Sequence, residues 1–447
     1  MFGHTGPGLT GRMRSGASRG RAVKAISPLH RQRDARATPR QIMVTVLAVF
    51  LGAAVMSSRQ TGAPAVTTLW AEDGTVFLSE ALASAHGSVL LEPAVGYLHL
   101  FPRLVADIAA LLPLATASWV FALGGGLVAA AVAMVAFHAS GAYLQHTWTR
   151  ALVATSVVLV PVGGAETLNS TALAHFFLIY GAFWSLLWVP SSRLGRATAT
   201  SVVALATMSN PLTAVLAPLA VGRLVVIRRL RDHLVTMVFA GGLAIQLVSM
   251  LVSPSERDLA TTAPTARLLA RFVWHVAIGG LVGERLQADA PMMLVIVLAL
   301  WAGVLWLIML IAAWRLRADH RVLLAAAAAV GAVLTYAAPV LLSGWHTPRY
   351  AVAPALLALL ALVAIVDVLA SDRGEWPVTA AVAAVLVTLT VAWVTSFPVH
   401  NERSDGPQWT PALDDAQRDC DERPVNALVQ VPITPDGWNV ELPCRLI

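Results

Sequence analysis

The sequence predicts an all-α polytopic membrane protein of about eleven transmembrane helices, with two long loops on one face and a small C-terminal module. Three observations predict it. Of 447 residues, 57% are hydrophobic and 13% charged, with a mean hydropathy of +0.70. A soluble domain keeps about a quarter of its residues charged. Most of this chain's outer surface must therefore face lipid, where a stranded charge is costly. Second, apolar runs long enough to cross hydrocarbon recur along the chain, separated by polar or turn-forming residues. Third, the charge is unevenly placed. The net charge is +6, yet residues 1–40 alone carry +8, so the other 407 residues sum to −2.

Residues 1–40 are rich in Gly, Ser and Arg and read as a disordered basic cytoplasmic tail. Basic residues beside a first span hold that end in the cytoplasm and suit anionic lipid headgroups. Confined to this tail, the basicity does not point to nucleic acid. The transmembrane domain, 41–396, opens with the run Ile42–Ser58. A cleaved secretory signal ending near Ala63-Pro64-Ala65 is the alternative. The length of the run and the many spans after it favour an uncleaved anchor.

The first long loop, 59–117, holds Glu72, Asp73, Glu80, Glu92, Arg103 and Asp107, too many charges for a span. Leu104, Ile108, Leu111 and Leu112 recur at helical spacing, with Asp107 on another face, predicting an amphipathic interfacial helix. Further apolar segments cover 118–140, 150–165, 171–190, 196–209 and 211–227. The last two meet at Ser209-Asn210-Pro211, a turn signal; one long span through 200–226 is the rival. Arg223, Arg228, Arg229 and Arg231 then mark a cytoplasmic loop. A span over 234–253 leads to the second long loop, 254–290, with its own candidate amphipathic helix. Spans over 291–314, 321–342, 349–370 and 377–396 follow.

The C-terminal module, 397–447, is polar. It carries the only two cysteines, Cys420 and Cys444, 24 residues apart. An odd number of spans from a cytoplasmic N-terminus puts this module outside, where a disulfide can staple a domain without a sizeable core. Two free thiols are the alternative. The localisation implied is the plasma membrane, with the C-terminus extracytoplasmic.

Polar residues gather in the loops assigned to the outer face, and four motifs there carry candidate chemistry. In Trp70-Ala71-Glu72-Asp73-Gly74, paired carboxylates before a Gly could present a general base, Asp73 or Glu72, to a hydroxyl; the plainer alternative is a helix cap. In Gly96 to Arg103, Arg103 suits a phosphate bidentately and His99 could donate to it; headgroup anchoring is the alternative. In Gly163 to Ser170, followed by His175, Glu166 and Asn169 suit sugar hydroxyls or a cation, against a plain surface loop. In Trp345 to Tyr350, His346 and Arg349 suit an anion flanked by aromatics, although an aromatic belt explains the rings equally well. Arg267, Arg271 and His275 share a helix face, which reads more readily as a snorkelling face than as a phosphate site.

In layout this resembles the GT-C glycosyltransferases over residues 40–396: one span, a long outer loop with an acidic motif, several short spans, a second long outer loop, more spans, then an outer C-terminal module. The resemblance implies a polyprenyl-phosphate-linked sugar donor, a glycan or lipid acceptor from the cell envelope, and contact with membrane lipids. It implies Asp73, with Glu72 beside it, as the base on the acceptor. It also implies Arg349 as the cation for the lipid phosphate. Many members keep a second acidic motif in the next outer loop; only Glu166 and Asn169 stand there. No metal or other cofactor is indicated, and a divalent cation is left open. A lipid-linked-sugar transporter or flippase is the first rival class. It calls for internal repeats and midplane charges, for which Asp367 is the main candidate. A non-catalytic scaffold of envelope assembly is the second.

Overall fold

A computed structural model of the chain describes residues 38–227, 230–253, 265–343, 346–371 and 376–447. The basic tail up to residue 37, Arg228, Arg229, Trp345 and the 254–264 part of the second loop lie outside the described residues. The fold is mostly helical. Eleven helices of the described residues make up its bundle: α1 (Pro39–Ser58), α2 (Ala117–Ser140), α3 (Thr147–Val158), α4 (His175–Leu187), α5 (Arg193–Ser209), α6 (Ala217–Val226), α7 (Leu234–Val252), α8 (Met292–Arg315), α9 (His320–Ser343), α10 (Val352–Ser371) and α11 (Trp376–Thr395).

Seven of them, α1, α2 and α7 to α11, are long and apolar enough to cross a membrane. The chain is therefore a membrane protein, but the roughly eleven spans expected are not matched one for one. Helices α3 to α6 contain 12, 13, 17 and 10 residues, short of the usual span. Many large apolar side chains on the long helices face outward, among them Leu47, Phe50 and Leu51 on α1 and Leu300, Leu310 and Trp314 on α8. On a soluble protein, apolar surface on this scale would drive association.

Helix α10 lies at the centre and is buried along its whole apolar length, Val352 to Leu369. Its neighbour α9 turns small residues toward the interior, including Ala325, Ala328, Gly331 and Ala332. Small residues let backbones approach where lipid supplies no hydrophobic drive between helices.

Two clusters define the ends of the bundle. At one end the Arg59 guanidinium donates to the carbonyls of Val158, Val160, Ser396 and Phe397 at 2.9–3.3 Å. It thereby caps the C-terminal ends of α3 and α11, whose last carbonyls have no partner within the helix. At the other end Asp367, near the end of α10, accepts from Gln145, His146, Thr149 and Arg321. The turn signal at Ser209-Asn210-Pro211 is real. Asn210 accepts from the Leu212 amide at 2.8 Å, starting a new helical segment. At the far end of that segment, Arg223 donates back to the carbonyls of Leu186 and Trp188 at 2.7 Å. The chain reverses there; it does not run through 200–226 as one rod.

The architecture is not wholly α. A two-residue ribbon pairs β1 (Pro93–Ala94) with β2 (Tyr97–Leu98). In the C-terminal module β3 (Leu428–Pro432) pairs antiparallel with β4 (Asn439–Pro443), in the register Leu428 to Pro443 through Pro432 to Asn439. The expected Cys420–Cys444 disulfide is formed and ties the helix Trp409–Asp421 to the end of this hairpin.

Candidate functional site

The acidic motif of the first loop sits at the Arg59 end, held from two sides. Ala71 adopts φ +27°, and its amide donates to the Thr434 carbonyl at 2.6 Å. The Thr434 hydroxyl returns a bond to the Leu69 carbonyl at 2.7 Å. Thr75 donates to the Asn439 carbonyl at 2.7 Å. The C-terminal hairpin thus forms the back wall of the motif and is not a free tail. A Cβ on Gly74 would lie 2.5 Å from Ile433 Cδ1 and 2.9 Å from Val440 Cγ2, so a larger residue here makes these hairpin side chains shift.

From the other side comes the turn before α4. The Thr171 amide and hydroxyl and the Ala172 amide donate to the Asp73 carboxylate at 3.1, 2.5 and 2.7 Å. Asp73 is 1% exposed. A carboxylate offers about four acceptor positions, so these donors fill most of them. Burial pushes its pKa up to about 6, against the pull of Thr171, Ala172 and the nearby Arg403. Arg403 makes no ion pair with it; its guanidinium is spent on the carbonyls of Leu168 and Asn169. Burial lowers the Arg403 pKa to about 10. The result is a buried acid that changes protonation near neutral pH, a common property of proton-transfer groups. Glu72 is half-buried beside it, and its carboxylate makes no hydrogen bond or ion pair among the described residues.

The same turn carries His175, whose Nδ1 donates to the Ala172 carbonyl at 2.8 Å. This leaves Nε2 as the lone-pair nitrogen. Arg349 and His99 lie close enough to act on His175 electrostatically. Arg349, just before α10, pairs with Glu166 at 2.7 Å, joining two motifs 183 residues apart. Tyr350 packs on Phe176 with ring centroids 6.1 Å apart. Asp73, His99, Glu166 and Arg349 are therefore drawn to one end of the bundle around the 171–175 turn.

The other candidates take different places. Arg103 is buried and paired with Glu80 at 2.6 Å, over the Phe77 ring, so it faces a carboxylate where the sequence suggested a phosphate. Its amphipathic helix, Leu100–Ala110, is present, with Ile108 outward. His99 stacks on Tyr97 at 4.1 Å and contacts the Tyr97 carbonyl. Asn169 is buried at φ +56° and donates to the Met56 carbonyl, so it serves the fold and not a surface loop. His346 contacts the Tyr336 hydroxyl at 3.0 Å and stacks on His275 at 3.9 Å. Burial pushes its pKa down to about 4, and His275 and Arg271 add to the effect. This gathers Arg271 and the neutral rings of His275 and His346 into one corner, an arrangement the sequence favoured less than a snorkelling face. Asp367, the residue that a transport reading needs, is sealed at the opposite end against Arg321.

Sequence reasoning passed over Thr171 and Arg403. Both belong to otherwise ordinary segments and act only through contacts with the first loop. Among the described residues no three His, Cys, Asp or Glu side chains converge as metal ligands. Two clefts of about 300 and 340 Å³ open at the Arg59 end, and none of Asp73, Arg103 and Arg349 lines either. A scan of protein-family models, a search of curated proteins and a search of solved structures each found no match to the chain.

Proposed function

We propose that this chain is a membrane glycosyltransferase that moves a sugar from a polyprenyl-phosphate donor to a cell-envelope acceptor at the outer face. The observation that carries the reading is Asp73. A buried carboxyl with a pKa near 6 is joined through the 171–175 turn to the Arg349–Glu166 pair. A base for the acceptor hydroxyl and a cation for the leaving phosphate are the two groups such a transfer needs.

In this reading Asp73 takes the hydroxyl proton through its remaining acceptor position, with Glu72 beside it. Arg349 meets the lipid phosphate once a substrate displaces Glu166, which then turns to sugar hydroxyls. Arg271, with the neutral rings of His275 and His346 beside it, extends the field for an anionic donor. Helices α3 to α6 complete eleven crossings. The loop at the Asp367 end that carries Arg315 and Arg317 then faces the cytoplasm, and the Asp73 end faces out.

The test is donor choice. Purified chain in vesicles receives radiolabelled sugars linked either to a polyprenyl phosphate or to a nucleotide, with envelope extract as acceptor. The reading expects label to move from the polyprenyl donor alone, with Arg349→Ala raising the donor KM. Transfer from the nucleotide sugar, or none from any polyprenyl donor, overturns it.

A further inference from the structure

The two clefts at the Arg59 end adjoin, one polar and one apolar. The first, about 300 Å³, is lined by Glu284, Arg285, Asp289, Ser396 and His400, with Arg59 at its floor. The second, about 340 Å³, is apolar and runs beside Thr390, Trp393 and Val394 on α11, Phe397 just after it and Leu159 after α3. Pro398 lines both, so the polar chamber and the apolar groove adjoin across this residue. From Phe397 to Thr390 the groove descends about 10 Å along the helix, toward the hydrocarbon. Cavities of this size are within the range that holds small ligands.

The hydrogen-bonding state of the lining identifies the missing partner. Ser396 is 5% exposed, and among the described residues its hydroxyl has no partner; the Trp393 indole N–H is likewise buried there without an acceptor. Buried donors are rarely left unpaired in native proteins. Arg59 is spent on four carbonyls. Arg285 reaches Asp289 and the Pro398 carbonyl only at 3.4 Å, long for hydrogen bonds and easily exchanged. Glu284 accepts from the Gly163 amide through Oε2 at 2.7 Å and keeps its other oxygen. His400 is paired with Asp405. Two carboxylates thus face one exchangeable guanidinium, with no surplus positive charge.

We propose that this is the binding site of a single glycerophospholipid with a primary-amine, phosphoethanolamine-type headgroup. The phosphate takes Arg285, the ammonium takes Glu284 and Asp289, ester oxygens accept from Ser396 and Trp393, and one acyl chain fills the groove. A purely anionic headgroup can also take Arg285, but it brings no cation of its own to meet Glu284 and Asp289. The site is independent of the glycosyltransferase reading. Glu284 nevertheless holds Gly163, three residues from Glu166, so lipid and candidate centre share one segment.

The test uses the full chain in vesicles of equal parts phosphatidylethanolamine and phosphatidylglycerol. A benzophenone amino acid replaces Thr390 in the groove, or Leu251 on the outward face of α7 as control. Mass spectrometry of the photo-adducts gives the ratio of the two lipids. The proposal expects about fivefold enrichment of phosphatidylethanolamine at 390, the worth of one good exposed charge pair, and none at 251. Both Glu284→Gln with Asp289→Asn and the chamber-filling Ala288→Trp return position 390 to the control ratio. Equal ratios at the two positions in the unmodified chain, enrichment of phosphatidylglycerol, or enrichment that survives both variants overturns the proposal.

Discussion

Asp73 and Asp367 are both buried, at opposite ends of one bundle, and their charges are met in different ways. Asp367 is 0% exposed and accepts from two amides, a hydroxyl, the His146 ring and the Arg321 guanidinium at 2.6–3.0 Å. Arg321 is itself shared with Asp319 at 2.8 Å. That carboxylate is locked as an anion that ties α9 and α10 to the segment before α3. Asp73 has only neutral donors within hydrogen-bonding reach, and its nearest cation is spent on carbonyls. One aspartate is neutralised for structure. The other is left close to its own protonation equilibrium, which is a poor way to stabilise a fold and a useful way to move a proton.

The sharpest way to break this contrast is to remove the locked acid. Asp367→Ala leaves Arg321 buried without its main partner, and breaking a buried pair from one side costs about 3–5 kcal/mol. The expected outcome is loss of most folded chain from detergent extracts, read by size-exclusion chromatography, with partial recovery when Arg321→Met is added. Full yield from Asp367→Ala alone would mean that the network is not structural.

The pH dependence of stability comes next. Burial raises the folded-state pKa of Asp73 to about 6 from an ordinary 3.8, so the folded chain holds this proton more tightly than the unfolded chain. The sign follows: the contribution is fully present below about pH 4 and is lost as pH rises through about 6. A shift of this size is worth roughly 3 kcal/mol at most. The stability difference between the native chain and Asp73→Asn should therefore change sharply between about pH 4 and 7 in denaturant titrations. A flat difference would mean that Asp73 is as well neutralised as Asp367.

A smaller effect is expected from Gly74→Val. Its side chain meets Ile433 and Val440 and must push the hairpin away; overpacking of this kind costs about 1–3 kcal/mol. Limited proteolysis should then cut the 397–447 module faster in the variant. Smallest is Arg349→Ala. Its pair with Glu166 is partly exposed, so the stability change should stay under about 1 kcal/mol. A larger loss would make the pair structural, like Arg321–Asp367.

The long helices after residue 234 are legible in the sequence to within one to three residues. For α8, α9 and α11, each run is long and strongly apolar, and nothing else competes for it. Between 141 and 227 the reading is weaker. The segment expected over 171–190 begins as a helix only at His175, because Asn169 to Ala172 form a turn sunk into the bundle. Gly125 makes room for that turn: a Cβ there would lie 3.0 Å from the Asn169 carbonyl carbon and the Ser170 amide. The run Gly124-Gly125-Gly126 inside an apolar helix was the available signal of a close backbone approach. In the site, the residue types of the WAEDG motif and Arg349 are legible as chemistry. Their partners are not, since Thr171, Arg403 and the hairpin reach the motif only through contacts roughly a hundred or more residues away along the chain. The disulfide is the exception, because only two cysteines exist to pair.

The most direct measurement puts both aspartates in one assay: transfer from a labelled polyprenyl-phosphate sugar by the native chain, Asp73→Asn and Asp367→Asn, each normalised to folded protein in the same vesicles. The account predicts that Asp73→Asn folds in normal amount and loses transfer by about 10²-fold or more, the usual worth of a general base. Asp367→Asn should lose folded protein while the molecules that remain keep their specific activity. Undiminished transfer by folded Asp73→Asn would contradict the account.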